Sequence, residues 1–169
     1  PAAPPAGKQA DPLYTDQLPT AALLSEALDA YNTERWADSL SYYTQASKRP
    51  DGQQLRTFNG MYLTETQLGH TKEAEEAFGK IAALGLATNN LAVKLLFRPG
   101  STDFWEGSPT ISAYPMWLRQ IAHTAQTAGS CLDVIGHTSR SGPQAVNDAL
   151  SLLPATASRS PLAPDAHGL

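Results

Sequence analysis

Between Ala21 and Gly85 apolar residues recur every three or four positions, the spacing of one helix face. Leu24, Ala27, Leu28 and Tyr31 form one stripe, and Trp36, Leu40 and Tyr43 form a second. Leu55, Phe58, Met61 and Tyr62 form a third, and Ala74, Ala77, Phe78 and Ile81 a fourth. Breaks fall at Asn32–Arg35, at Pro50-Asp51-Gly52 and at Gly69-His70. The pattern predicts four helices joined by short turns, hence two helical hairpins. Thr71 is the expected N-cap of the fourth helix, and Glu73 and Glu75 suit the positive end of its dipole.

After Gly85 the period changes. Leu91–Phe97 alternates, with Val93, Leu95 and Phe97 on one side, and predicts a strand ended by Arg98-Pro99-Gly100-Ser101. A helix is expected from Pro115, a residue tolerated in a first turn, with Trp117, Ile121 and Ala125 on one face. Cys131–Ile135 predicts a second strand, and Gln144–Leu153 a last helix with Val146, Leu150 and Leu153 inward. Residues 91–153 therefore spell β-α-β-α, and the expected fold class is α+β.

Four segments follow from this grammar. Residues 1–20, rich in Pro and Ala without a period, read as a solvated tether or frayed terminus. Residues 21–88 hold the helical hairpins and 89–153 the mixed unit. Residues 154–169 contain three prolines and no apolar period, and read as a disordered tail.

The hairpins repeat at an offset of 35 positions. Trp36–Leu40 matches Thr71–Glu75, Tyr43 matches Phe78, and Ala46 matches Ile81. A small residue followed four later by an aromatic resembles the second helix of tetratricopeptide repeats. That resemblance implies a surface that grips a peptide or protein, here an unknown envelope protein. Two such units are fewer than the three usually needed to stand alone, so a packing partner is expected.

The run from Gly136 carries the most chemical information. Gly136, His137, Thr138, Gly142, Asn147, Leu150, Ser151 and Ala155 resemble the signature of the OmpA-like peptidoglycan-binding family. Read from the residues, the loop suits an anion. Gly136 and Gly142 allow unusual backbone angles, Thr138, Ser139 and Ser141 offer hydroxyls, and the N–H groups of the helix that follows attract carboxylate. The resemblance implies a binding site at Gly136, His137, Thr138, Ser139, Arg140, Gly142, Asn147 and Ser151. Its ligand would be the peptide stem of peptidoglycan, held through diaminopimelate. It also implies a periplasmic location, with a possible tie to the outer membrane.

Three departures weaken that site. Ser139 stands where the family has the Asp that takes the ligand's ammonium. Pro154 stands where it has the Arg that takes a carboxylate. Losing two charge-assisted bonds removes roughly 1.5–3 kcal/mol each, with neighbouring Arg140 a partial substitute. The family pattern also stops near Ser151, so the mixed unit is expected to be truncated. Two functions follow: an envelope adaptor anchored non-covalently to peptidoglycan, or a protein-interaction module whose wall site is disabled.

Composition narrows the classes further. The 169 residues carry a net charge of −4, which argues against electrostatic binding to nucleic acid. No apolar run approaches the ~20 residues of a membrane helix. Cys131 is the one cysteine, so no internal disulfide forms, and it is expected to be a small buried residue. His70, His123, His137 and His167 are scattered without the spacing of a metal site, and His137 is expected to brace its loop. Neither a nucleophile elbow nor a phosphate loop occurs, so no enzyme and no cofactor are expected. Trp36 and Trp117 are expected in the core, and Trp105 over the end of the sheet.

Overall fold

The structure, a computed structural model, describes residues 12–98, 101 and 103–132. The chain divides into two compact units between Leu84 and Gly85. The first holds a one-turn helix α1 (Pro12–Thr15), then α2 (Thr20–Asn32), α3 (Trp36–Ser47), α4 (Leu55–Leu68) and most of α5 (Thr71–Ala87). A 3₁₀ turn at Pro50–Gly52 leads from α3 towards α4.

The pairs α2–α3 and α4–α5 repeat in register. Thr20 and Leu55 open the first helices, and Trp36 and Thr71 open the second, each 35 positions apart. The turns repeat as well. Glu34 and Gly69 occupy the same place in the two pairs, and both have positive φ, 60° and 76°. In each case the following N–H reaches back to a carbonyl five residues earlier, Arg35 to Ala30 at 2.8 Å and His70 to Glu65 at 2.9 Å. This is the Schellman stop, which satisfies carbonyls orphaned at a helix end. Asn89 and Gly129 end α5 and α6 by the same geometry. Thr71 is the first helical residue of α5, and the Ala74 N–H bonds the His70 carbonyl, so the cap lies one position before the expected Thr71.

Within each pair the same register positions are buried. Leu23, Ala27 and Ala30 on α2 correspond to Phe58, Tyr62 and Glu65 on α4, and all six are buried. Phe58 lies beneath the Lys80 ammonium and Tyr62 meets the Phe78 ring edge-on at 5.6 Å, which seats α4 on α5. Between the pairs, Gly60 of α4 admits the Tyr43 ring of α3. A Cβ at Gly60 would lie 2.1 Å from that ring. The small-then-aromatic pattern is buried in both second helices, as Ser39 with Tyr43 and Ala74 with Phe78. Leu28, placed by periodicity in an apolar stripe, is exposed.

Ser39 and Thr64 are fully buried hydroxyls, and each has a single proton. Ser39 donates to the Ala27 carbonyl at 2.9 Å, and Thr64 donates to the Gly60 carbonyl at 2.8 Å. Their mutual contact at 3.3 Å is therefore packing between two satisfied groups.

The second unit corrects the α+β expectation. Among the described residues there is no sheet; Phe97 and Phe104 form one isolated antiparallel bridge. From Leu91 to Leu95 the exposure does alternate, with Ala92 and Lys94 outward, but Leu96 and Phe97 are both half-buried. A strand also needs a neighbour along its edge, and here the pairing ends at that bridge, whose two bonds run from the Trp105 N–H to the Leu96 carbonyl and from the Arg98 N–H to the Asp103 carbonyl, both at 2.9 Å. The Leu96 N–H leaves the ladder and donates to the Tyr114 hydroxyl at 3.2 Å. Leu91 packs on Gly85. Cys131 and Leu132 carry no strand, while residues 133–135 and the expected helix 144–153 lie outside the described residues. The expected central helix is present as α6 (Tyr114–Thr127), with Pro115 in its first turn and Ile121 and Ala125 buried. It is preceded by a 3₁₀ turn at Ile111–Ala113.

Tyr114 organises this unit. Its ring meets Phe104 edge-on at 5.1 Å and Trp117 at 5.4 Å, and Phe104 lies 5.0 Å from Phe97. Trp117 is half-buried in this row. Trp105 has no sheet to cover. It is exposed and lies against Gly107. Cys131 is exposed, contrary to its expected burial.

Candidate functional site

All eight residues of the expected wall-binding site, Gly136, His137, Thr138, Ser139, Arg140, Gly142, Asn147 and Ser151, lie outside the described residues, as does Pro154. The candidate surface of the described chain is on α2 and α4. Leu28 is 43% exposed and Leu63 is 39% exposed, and they occupy the same register position on these two helices, which contact each other. One turn away on α2 are exposed Ser25 and Asn32; one turn away on α4 are exposed Asn59 and Gln67. None of these flanking residues carries a charge. Their hydroxyl and carboxamide groups can bond main-chain N–H and C=O groups of a partner, while the two leucines offer apolar area. The sequence pattern placed Leu28 in a stripe and gave no reason to separate it from Leu24, because the two differ only in which side of the helix a neighbour covers.

The titratable groups divide into a buried set and a surface set. Burial pushes the phenols of Tyr42 and Tyr43 above 10.0; the carboxylates of Glu26 and Asp38 add to the effect at Tyr42, and Arg56 opposes it at Tyr43. At Tyr114 burial also acts upward, but hydrogen bonds from Ser108, Thr110 and the Leu96 N–H outweigh it and hold the phenol below 10.0. The Glu65 carboxylate is buried and pairs with His70 Nδ1 at 2.7 Å. Arg35 pairs with Asp29 and Asp38 at the surface.

No group of three or more His, Cys, Asp or Glu side chains among the described residues is arranged to hold a metal ion. No described helix is long and apolar enough to cross a membrane. No family model matches the chain, and no curated protein or solved structure does either.

Sequence reasoning also missed Arg49. Its guanidinium donates to the carbonyls of Thr15 at 3.1 Å, Asp16 at 3.4 Å and Leu18. An arginine between a helix and a proline carries no sign in the sequence of what lies 30 residues upstream.

Proposed function

We propose that the chain is a protein-interaction adaptor whose helical unit binds a partner polypeptide across α2 and α4. The observation that supports this is the pair Leu28 and Leu63, large apolar side chains left exposed at one register position and flanked by uncharged polar groups. A helical unit this small gains by burying such leucines, so their repeated exposure favours an intermittent occupant. The resemblance of the helix pairs to tetratricopeptide repeats supports the same reading, with an envelope protein as the partner class. No reaction and no cofactor belong to it. The test is selection of binding peptides from a random display library against the full chain, repeated with Leu28→Asp/Leu63→Asp. Peptides enriched on the parent chain should lose binding at least tenfold, roughly 1.4 kcal/mol or more. Equal binding to both would remove this face from consideration.

A second reading is carried by the run Gly136-His137-Thr138 with Gly142, Asn147 and Ser151. In it the same adaptor is anchored in the periplasm to the diaminopimelate-containing stem of peptidoglycan. Co-sedimentation with isolated sacculi, reversed by free diaminopimelate, is its expected result. A chain that stays in the supernatant leaves the interaction module with a disabled wall site.

A further inference from the structure

We propose that Pro12–Pro19 is a strap that opens as a unit of its own, and that the Arg49 guanidinium is its latch. The helix α1 within it is a single turn, far too short to persist by itself in water. Its carbonyls and those just after it have few helical partners. Just after this turn the Gln17 N–H bonds the Tyr14 carbonyl at 3.3 Å and the Leu18 N–H bonds the Thr15 carbonyl at 3.2 Å. Arg49 satisfies three strap carbonyls, those of Thr15, Asp16 and Leu18. A guanidinium can do this because its donors are splayed in a fixed fork; an ammonium is a compact point charge.

Side-chain burial also holds the strap. Thr15 is fully buried, and Leu18 is half-buried against the core cluster that contains Leu23, Leu24, Tyr42 and Tyr43. At its end, where the strap becomes α2, Thr20 Oγ1 donates to Asp51 at 2.7 Å. Arg49 and Asp51 both flank the start of the 3₁₀ turn between α3 and α4, so the entrance to α2 is tied to the approach to α4. The helices α2–α5, in contrast, hold one another through Ser39, Tyr43, Gly60 and Tyr62 without using the strap. Opening the strap therefore breaks the Arg49 bonds and wets Thr15 and Leu18, while the helix pairs stay packed. The opened state uncovers the part of the α2–α3 core on which Leu18 rests.

Hydrogen exchange of the full chain, read by mass spectrometry, tests this. In the parent chain the amides of Gln17 and Leu18 should exchange faster than those in the middle of α4. Arg49→Ala should accelerate the strap by on the order of tenfold or more, with α4 changed by less than about twofold. Arg49→Lys should fall between. Strap and α4 amides that exchange alike in the parent, or accelerate together in Arg49→Ala, would make the strap part of the helical core. A strap indifferent to both substitutions would remove Arg49 as its latch. Should Arg49→Ala not fold, the parent and Arg49→Lys comparison decides by the same criteria.

Discussion

Replacing Gly60 by alanine sets two known effects against each other at one position. Gly60 lies inside α4, where alanine is favoured over glycine by about 0.8–1 kcal/mol. The new methyl, however, would sit 2.1, 2.3 and 2.6 Å from three atoms of the Tyr43 ring. Carbon atoms pack at about 3.5–4.0 Å, so ring and helix must separate by more than 1 Å. Tyr43 cannot turn aside cheaply, because it is 4% exposed and belongs to the core cluster with Leu23, Ala27 and Ala46. Overpacking of this kind costs about 1–3 kcal/mol, and a clash this deep belongs at the upper end. The net expectation is a loss of about 1–2 kcal/mol. Urea unfolding followed by far-ultraviolet circular dichroism should show the midpoint fall by about 0.5–1 M at an m of about 2 kcal/mol/M. Tyr43→Leu supplies the control: it removes the obstructing ring, so Gly60→Ala in that background should cost nothing or stabilise. A midpoint that rises in the parent background, or falls equally in both, would refute the close approach of α3 and α4 at this glycine.

Four further outcomes are expected. Ser39→Ala should destabilise by about 1 kcal/mol in the same urea assay, because the Ala27 carbonyl loses a buried donor. Glu34→Gly should stabilise by about 1 kcal/mol, since Glu34 holds positive φ where the second pair has Gly69, and Gly69→Ala should cost a similar amount. His70→Ala should lower the urea midpoint by leaving the Glu65 carboxylate buried without its partner, and Glu65→Gln added to it should restore part of the loss. Above pH 10 the helical unit should lose stability: unfolded tyrosine releases its proton near 10.0, Tyr43 releases it only at higher pH, and the folded state therefore binds more protons in that window. Tyr43→Phe should flatten this alkaline fall in the melting temperature.

The helices were legible because their stripes are long and their stops are local. Gly69 announces a positive φ, and Pro50-Asp51-Gly52 announces a turn, before any tertiary contact is known. The cap of α5 was misplaced by one residue because Thr71 is a better cap by type than His70, whereas the Schellman stop at Gly69 fixes where the next helix starts. The strand at 91–97 was misread for a physical reason. Alternation reports which side chains face inward, and Val93 and Leu95 do; it reports nothing about whether a second strand lies alongside. The Leu96 N–H is instead taken by a tyrosine hydroxyl 18 residues away, a partner that has no period. The same blindness to long-range polar contacts hid Arg49. The eight residues of the expected wall site rest on a family resemblance, beside a reading of the glycines and hydroxyls of their loop as suited to an anion, and the described residues do not include them.

The two pairs also show where the helical stack begins. The face of α4 turned to α3 includes Gly60, Met61 and Thr64: Gly60 meets Tyr43, Thr64 meets Ser39, and Met61 packs on the core cluster. The same register positions on α2 are Ser25, Glu26 and Asp29. Ser25, Glu26 and Asp29 are exposed, and Asp29 is paired with Arg35. Another helix stacked there, as α3 is on α4, would have to desolvate Glu26 and break the Asp29–Arg35 pair, and would find no glycine to admit an aromatic ring. A repeat array needs a polar outer face at its end, and α2 supplies one. This face of α2 is thus polar where the matching face of α4 is packed, and the strap lies ahead of α2 in the chain. The large apolar side chains exposed on the first helices are Leu28 and Leu63, which lie at a different register position from this polar face. On the proposed reading a partner of the helical unit would meet a surface spanning both pairs, and Leu28→Asp alone should weaken peptide binding nearly as much as the double change if one ligand bridges the two leucines.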